Sequence, residues 1–430
     1  MTGLMRLRSP VEEASYIVFK DGGKIYAKSG DTGEIVASGA DLGGVLQSIV
    51  NKVPDTGSAT IYIKPGQYDM FSGVRVAKAG LAIIGAWMWD WLDVWERANV
   101  PQAYPGVLIR LRADGVNYFD FGWEEATVPT KPMRVVMTGI GAYASDAHGN
   151  PVQHTSSTFI YLRNRVRHSL FRQLSIVGTG YGVVHEKTLS NAEGLQGVYL
   201  EHITCEYTYT RCIDLGSGDY DVRLVDIRAG WNSVDRSLIL LGGFSNIYVD
   251  RVSILAGSQR VLGIYYSKRF IVRDVIVESV MGTAAIELSS VTDGVIDNVF
   301  VDYDGTNSPS YVIAAVDYEN IEIRNVFAKY KNGTIYYTGV MPKMVNVRML
   351  NVNTNTEYRS ESRGLAVLPA GQTKVTVNHY LLGIPITVNI VPLGKPDGKL
   401  WVTNRTETSF DITTDVSQST DLEILWYATV

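Results

Sequence analysis

A branched-apolar strand phrase that returns about every 25 residues between 170 and 352 constrains this chain more than any other feature. It reads LFRQLSIV at 170, VYLEHITC at 198, YDVRLVDI at 220, IYVDRVSI at 247, FIVRDVIV at 270, GVIDNVFV at 294, IEIRNVFA at 321 and VNVRMLNV at 345. Taking Leu174, Ile203, Val225, Val252, Val275, Val299, Val326 and Leu350 as equivalent anchors gives steps of 29, 22, 27, 23, 24, 27 and 24 residues. Each phrase alternates with the period of two that a strand requires, and too little chain separates the phrases for helical crossovers. One such unit cannot bury its own apolar face, whereas stacked units share a core. The expected architecture is therefore a solenoid of β-coils, a parallel β-helix about 34 Å long over these seven steps. Leucine-rich repeats share the period but need a fixed leucine phrase that is absent, and a β-sandwich would repeat at shorter spacing without a recurring phrase.

Composition narrows the function. A formal charge of −5 with mixed signs offers no basic field for nucleic acid, so no nucleic-acid partner is expected. No run of 18 apolar residues marks a transmembrane segment, and the start MTGLMRLRSPVEEASY lacks a signal-peptide pattern, which predicts a chain not routed through standard secretion. The two cysteines, Cys205 and Cys212, read first as buried small side chains, with a disulfide or metal ligation as the other readings. Nothing near them completes a four-ligand zinc set, and no metal or other cofactor is expected.

Three regions are predicted. Residues 1–58 hold two strand-like alternations around Asp21-Gly22, then a short helix opened by Asp41 with Leu42, Leu46, Ile49 and Val50 on its apolar face, placed to cap the solenoid end. Residues 59–362 form the coils, interrupted near 87–100 by WMWDWLDVWERANV, which carries four of the eight tryptophans and reads as an aromatic plug or a sugar-stacking platform. From 363 to 430 the coil spacing is lost and short strands alternate with turns, as in a compact antiparallel β-sandwich-like domain.

This layout resembles viral tail-spike and tail-fibre proteins. The resemblance rests on DLGGVLQSIVNKV before ATIYIKPGQYDM at the head, the long run of coils, and KVTVNH, IPITVNIVP, KLWVTNRTETSFDI and LEILWYATV at the end. It is architectural and carries no catalytic signature. It implies a right-handed parallel β-helix of the pectate-lyase-like superfamily, a homotrimer, a virion-surface or extracellular location, and attachment to other virion proteins through the N-terminal region. The partner it implies is a host-surface polysaccharide or glycan, bound by an attachment protein. The alternatives are a hydrolase or lyase that depolymerises it and a purely structural component of a virion or surface layer.

Glycoside hydrolysis needs two carboxyl groups on neighbouring coils, about 6.5–9.5 Å apart for inversion and about 5–5.5 Å for retention. Aligning GVVHEKT, RCIDLGS, SLILLGG, VLGIYYS and AAIELSS with Val184, Ile213 and Ile286 inward turns His185, Asp214 and Glu287 outward. Asp214 and Glu287 then stand three coils, about 14 Å, apart, too far for one glycosidic bond. The candidate pair is Glu186 and Asp214, with Asp235 on the following coil as a further acid. His185, Tyr207, Tyr209, Arg211 and Trp231 are the candidate substrate-binding residues, the aromatic rings to stack on sugars and Arg211 to hold an anionic sugar. The recurring Asp250, Arg251, Arg273, Asp274, Asp297, Asn298, Arg324 and Asn325 are expected to form charge or hydrogen-bond ladders between coils.

Overall fold

The computed structural model describes residues 14–86, 106–123, 133–186, 194–216, 220–230, 237–255, 260–278, 284–303, 311–330, 348–353, 361–381 and 383–430. From Ser58 to Asn353 the described strands pair in parallel with the next coil, so the solenoid expected from the period is present. A representative coil has a short strand, Thr158–Leu162, a corner, and a longer strand, Arg167–Val177, that bends at Gln173. The bend divides the longer strand between two faces, so each coil has three faces around one apolar interior. Phe121, Leu162, Leu215, Leu241, Ile264 and Leu288 illustrate that interior, each with no exposed surface.

The bend explains the recurring phrase. Gly139, Gln173, His202, Asp226, Arg251, Asp274, Asn298 and Asn325 stack in one column, and all have positive φ, the seven non-glycine residues lying between 52° and 56°. That left-handed conformation crowds Cβ, and Asn, Asp and Gly tolerate it best, which accounts for five of the eight residues. The strand phrase therefore brackets a corner, and the residue at the corner recurs because of its backbone angle. Side chains in the column also link coils: the Asn298 amide donates to Asp274, and His202 Nδ1 lies 2.5 Å from an Asp226 carboxylate oxygen. One position earlier, Asp250, Arg273, Asp297 and Arg324 alternate in sign along a second column, with Arg324 paired to Asp297 at 3.0 Å. The ladders expected from sequence thus occupy two adjacent columns.

Two of the sequence anchors are corrected by the register. Ile203 faces Ile227 rather than Val225, and Val326 faces Val352 rather than Leu350. The steps become 29, 24, 25, 23, 24, 27 and 26 residues. Both errors are two residues, because a period-two pattern matches itself after that shift.

The helix Leu42–Val50 forms where expected, with the Asp41 carboxylate accepting from the Gly43 and Gly44 amides at 3.1 Å each. The same carboxylate accepts from the Phe71 amide at 2.8 Å and from the Ser72 hydroxyl, tying the helix start to the first coil. Leu42, Val45, Leu46, Ile49 and Val50 join the interior of the solenoid. Ahead of the helix, Tyr16–Asp21, Lys24–Ser29 and Ile35–Gly39 form an antiparallel meander whose first strand pairs in parallel with Ser58–Ile63.

Beyond the coils, Glu361–Leu368, Leu422–Thr429 and Thr387–Pro392 form one antiparallel sheet, and Lys374–Asn378, Ser409–Thr414 and Leu400–Thr403 another. Leu368, Phe410, Ile412, Ile424, Trp426 and Ala428 pack between them as a core separate from that of the coils. His379 is wholly buried there, its Nδ1 accepting from the Leu381 amide at 3.0 Å and its Nε2 donating to the Thr406 carbonyl at 3.1 Å.

Cys205 and Cys212 form a disulfide, which corrects the reading of two reduced buried side chains. The strands Gln196–Glu206 and Arg211–Leu215 meet at a tight corner that leaves the two Cα atoms 5.5 Å apart, within bonding range. Gly182, on the preceding coil, packs on this bridge: a Cβ there would lie 2.5 Å from the Cys212 carbonyl oxygen and 2.8 Å from Cys205 Sγ.

Candidate functional site

The face built by Asn117–Phe121, Thr158–Leu162, Tyr181–His185 and Arg211–Leu215 carries the sequence-predicted carboxylates. Its register places Asp120, Tyr161, Val184 and Asp214 in one outward column, with Val183 and Ile213 inward. The sequence alignment was therefore one residue out in Tyr181–His185. Val184 points outward, and His185 is buried at 5% exposure in the interior column behind Leu162. His185 is thereby removed as a surface contact for a substrate.

The same shift leaves Glu186 on the outer face. It follows Val184 by two residues, is exposed, and extends the ladder through its amide to the Leu162 carbonyl at 3.1 Å. Asp214 lies opposite Val184 on the next coil, so Glu186 and Asp214 are diagonal neighbours on one face. One strand spacing across and two residues along separates their Cα atoms by about 8 Å. Asp214 and Glu287 are indeed three coils apart, through Leu240 and Gly263.

Each carboxylate has a defined partner. The Tyr161 hydroxyl donates to Glu186, and Arg211 donates to Asp214 from three residues earlier in the chain. Burial first, then the hydrogen bond to Glu186 and the charge of Glu186, push the Tyr161 phenol well above its ordinary value, so it remains a donor at neutral pH. The Arg163 guanidinium lies 5.0 Å from the Tyr161 ring centre and grips Asp120 with two hydrogen bonds of 2.8 Å. Arg75 adds a third contact to Asp120 at 2.6 Å. The result is a strip over four coils with three outward carboxylates, Asp120, Glu186 and Asp214, each held by its own donors.

The other candidates are more dispersed. Tyr207 and Tyr209 stand at the corner after Gln196–Glu206, where the Tyr207 amide donates to Gly230 at 3.1 Å and the Tyr209 amide to Thr179 at 2.7 Å. Tyr209 is exposed at 37%, whereas Tyr207 is half-buried. Asp235, Trp231 and the tryptophan-rich stretch at 87–100 lie outside the described residues. Tyr161, Arg163 and Asp120 were not selected from the sequence. Continuing the short-strand alignment upstream through TFIYL and NYFDF would have found two of them, but 41 residues separate Phe121 from its partner Leu162, and that interval hides the repeat.

Among the described residues, no cluster of three or more His, Cys, Asp or Glu side chains is disposed to hold a metal ion, and no helix is long and apolar enough to cross a membrane.

No family model matches the chain, and no curated protein matches it. Among solved structures it is similar to the tailspike protein of Acinetobacter baumannii phage AM24, at 9% identity over 90% of this chain and 80% of the other, with a TM-score of 0.39. It is also similar to tailspike protein gp49 of Acinetobacter baumannii bacteriophage Fri1, a capsular polysaccharide depolymerase, at 10% identity over 90% and 82% of the two chains and a TM-score of 0.36. A third similarity is to the A-module of the Azotobacter vinelandii mannuronan C-5 epimerase AlgE6, at 10% identity over 73% and 91%, with a TM-score of 0.36.

Proposed function

We propose that this chain is a tail-spike-like virion-surface protein that binds host-surface polysaccharide and hydrolyses it at the face shared by Glu186 and Asp214. The observation that carries the reading is the diagonal placement of these two outward carboxylates on adjacent coils. With their Cα atoms about 8 Å apart on one face, the two carboxyl groups can flank a single glycosidic bond, here in the inverting arrangement with a water between the base and the sugar ring. Glu186 serves as proton donor to the glycosidic oxygen. Asp214, oriented by Arg211, serves as the base that activates water on the opposite side of the ring. Neighbouring tyrosines supply apolar ring faces for the sugars.

A homotrimer, attached to other virion proteins through its N-terminal region, belongs to the same proposal. The outer face of the C-terminal sheet supports self-association, because Leu365, Leu425 and Val391 lie side by side across its three strands and are 52%, 46% and 58% exposed.

The test is release of reducing ends from purified host-envelope polysaccharide by the parent, Glu186→Gln and Asp214→Asn, with binding measured in parallel. Loss of cleavage with retained binding in both variants is expected, and undiminished cleavage by both rejects this site. Tight binding by a parent that never cleaves would make the chain an attachment protein alone.

A further inference from the structure

The coils carry a second groove, on the face that follows the corner after Asp214. Its volume is about 700 Å³, within the range of small-ligand sites. Two outward columns build it. One runs Tyr199, Arg223, Tyr248, Ile271 and Val295 on five successive coils. Beside it, at the start of the same strands, stand Asp221, Asn246, Arg269 and Asp293.

The columns differ in chemistry. In the first, the Arg223 guanidinium stacks over the Tyr248 ring at 5.1 Å from its centre and Tyr199 is 36% exposed, so two aromatic rings stand two coils, about 9.6 Å, apart with a guanidinium plane between them. In the second, the Asn246 amide donates to Asp221, and Arg269 Nε donates to the Asn246 side-chain oxygen at 2.8 Å. These contacts hold carboxylate, amide and guanidinium groups in fixed positions along the groove. Two aspartates offset two arginines, so the lining has no net charge.

We infer that this groove binds a neutral stretch of oligosaccharide, ring faces lying on the Tyr199–Arg223–Tyr248 column and hydroxyl groups meeting the Asp221–Asn246–Arg269–Asp293 column. Flat rings match the apolar faces of pyranoses, and adjacent fixed donors and acceptors match vicinal hydroxyls. A uronic or sialic acid chain would meet two aspartates as well as two arginines and gains nothing from the balanced lining. The inference takes its ligand class from the glycan-binding reading above but assigns a different face from the one that holds Glu186 and Asp214.

The experiment is isothermal titration of the intact chain with maltohexaose, cellohexaose and chitohexaose as neutral probes and with hexagalacturonate as the acidic one. Parent, Tyr248→Ala, Tyr248→Phe, Tyr199→Ala, Arg223→Ala and Glu186→Gln are compared, with thermal melting of each as a folding control. Expected is binding of at least one neutral hexamer in preference to hexagalacturonate, weakened about 10-fold by Tyr248→Ala and by Arg223→Ala. Tyr248→Phe, which keeps the ring, should bind like the parent, and Glu186→Gln reads out any contribution of the first face. Tyr199→Ala, at the exposed rim, carries the test should Tyr248→Ala fail to fold. Parent-like binding by both Tyr199→Ala and Arg223→Ala, preference for the acidic probe, or no binding of any neutral probe would overturn the inference. Loss of binding in Glu186→Gln alone would return the glycan to the first face. Groove binding without polysaccharide cleavage would defeat hydrolysis at Glu186 while leaving this inference standing.

Discussion

Tyr161 donates its phenolic hydrogen to the Glu186 carboxylate, which stands one coil further along the solenoid. The two residues are 25 positions apart in the chain and become neighbours only because Tyr161 faces Val184 in the ladder, two residues before Glu186. With Arg163 stacked on its ring, the phenol is fixed on one side and its hydroxyl is aimed at the carboxylate. On the hydrolytic mechanism proposed above, Tyr161 is a positioning residue for Glu186. Tyr161→Phe is expected to lower kcat on host polysaccharide by about 10-fold or more while leaving KM within about threefold, because orientation of a general acid acts on the chemical step. An equal fall in thermal stability and activity, with KM raised, would instead mark the contact as structural.

The column of left-handed corners makes a prediction about stability. Asn298 has φ 56°, and a β-branched side chain there is strained. Asn298→Val should lower stability by about 1–3 kcal/mol, the strain compounding the lost hydrogen bond to Asp274, whereas Asn298→Gly should cost less than half as much. Chemical denaturation midpoints compare the two, and equal losses would show that the side-chain bond, not the backbone angle, governs the position.

Glu206 supplies a pH dependence. It is 5% exposed at the end of Gln196–Glu206, next to the disulfide, and burial pushes its carboxyl up to about 7. Its folded-state value lies above its unfolded one, so between about pH 4.5 and 7 the folded chain holds a proton that the unfolded chain has released. Stability therefore falls as pH rises through that window and levels off above it, the total being on the order of 3 kcal/mol. Glu206→Gln should remove this component, so the difference in melting temperature between variant and parent should widen from pH 4.5 to 7 and then stay constant. A constant difference throughout would show that Glu206 does not titrate there.

The exposed row Leu365, Leu425 and Val391 predicts the state of assembly. Leu425→Glu puts a charge in the centre of that row without entering the core formed by Ile424 and Trp426. Sedimentation equilibrium should give a trimer for the parent at micromolar concentration and a dissociating species for the variant. A monomeric parent would defeat the trimer and leave the solenoid intact.

Much of the fold was legible because period-two alternation and a recurring interval near 25 residues admit few packed solutions. The Asp41 helix start, the outward direction of Asp214, the separation of Asp214 from Glu287, and the change to antiparallel strands near the end could all be read locally. Tertiary structure decided the rest. A single residue of uncertainty at the corner before Tyr181–His185 reversed the faces of Val184 and His185, because alternate side chains point to opposite sides of a strand. The approach of Cys205 to Cys212 and of Tyr161 to Glu186 likewise depended on how corners bring strands together. Alternation is a local property of the backbone, whereas register is set by the whole stack, where each coil must place its apolar residues on those of the coil before it.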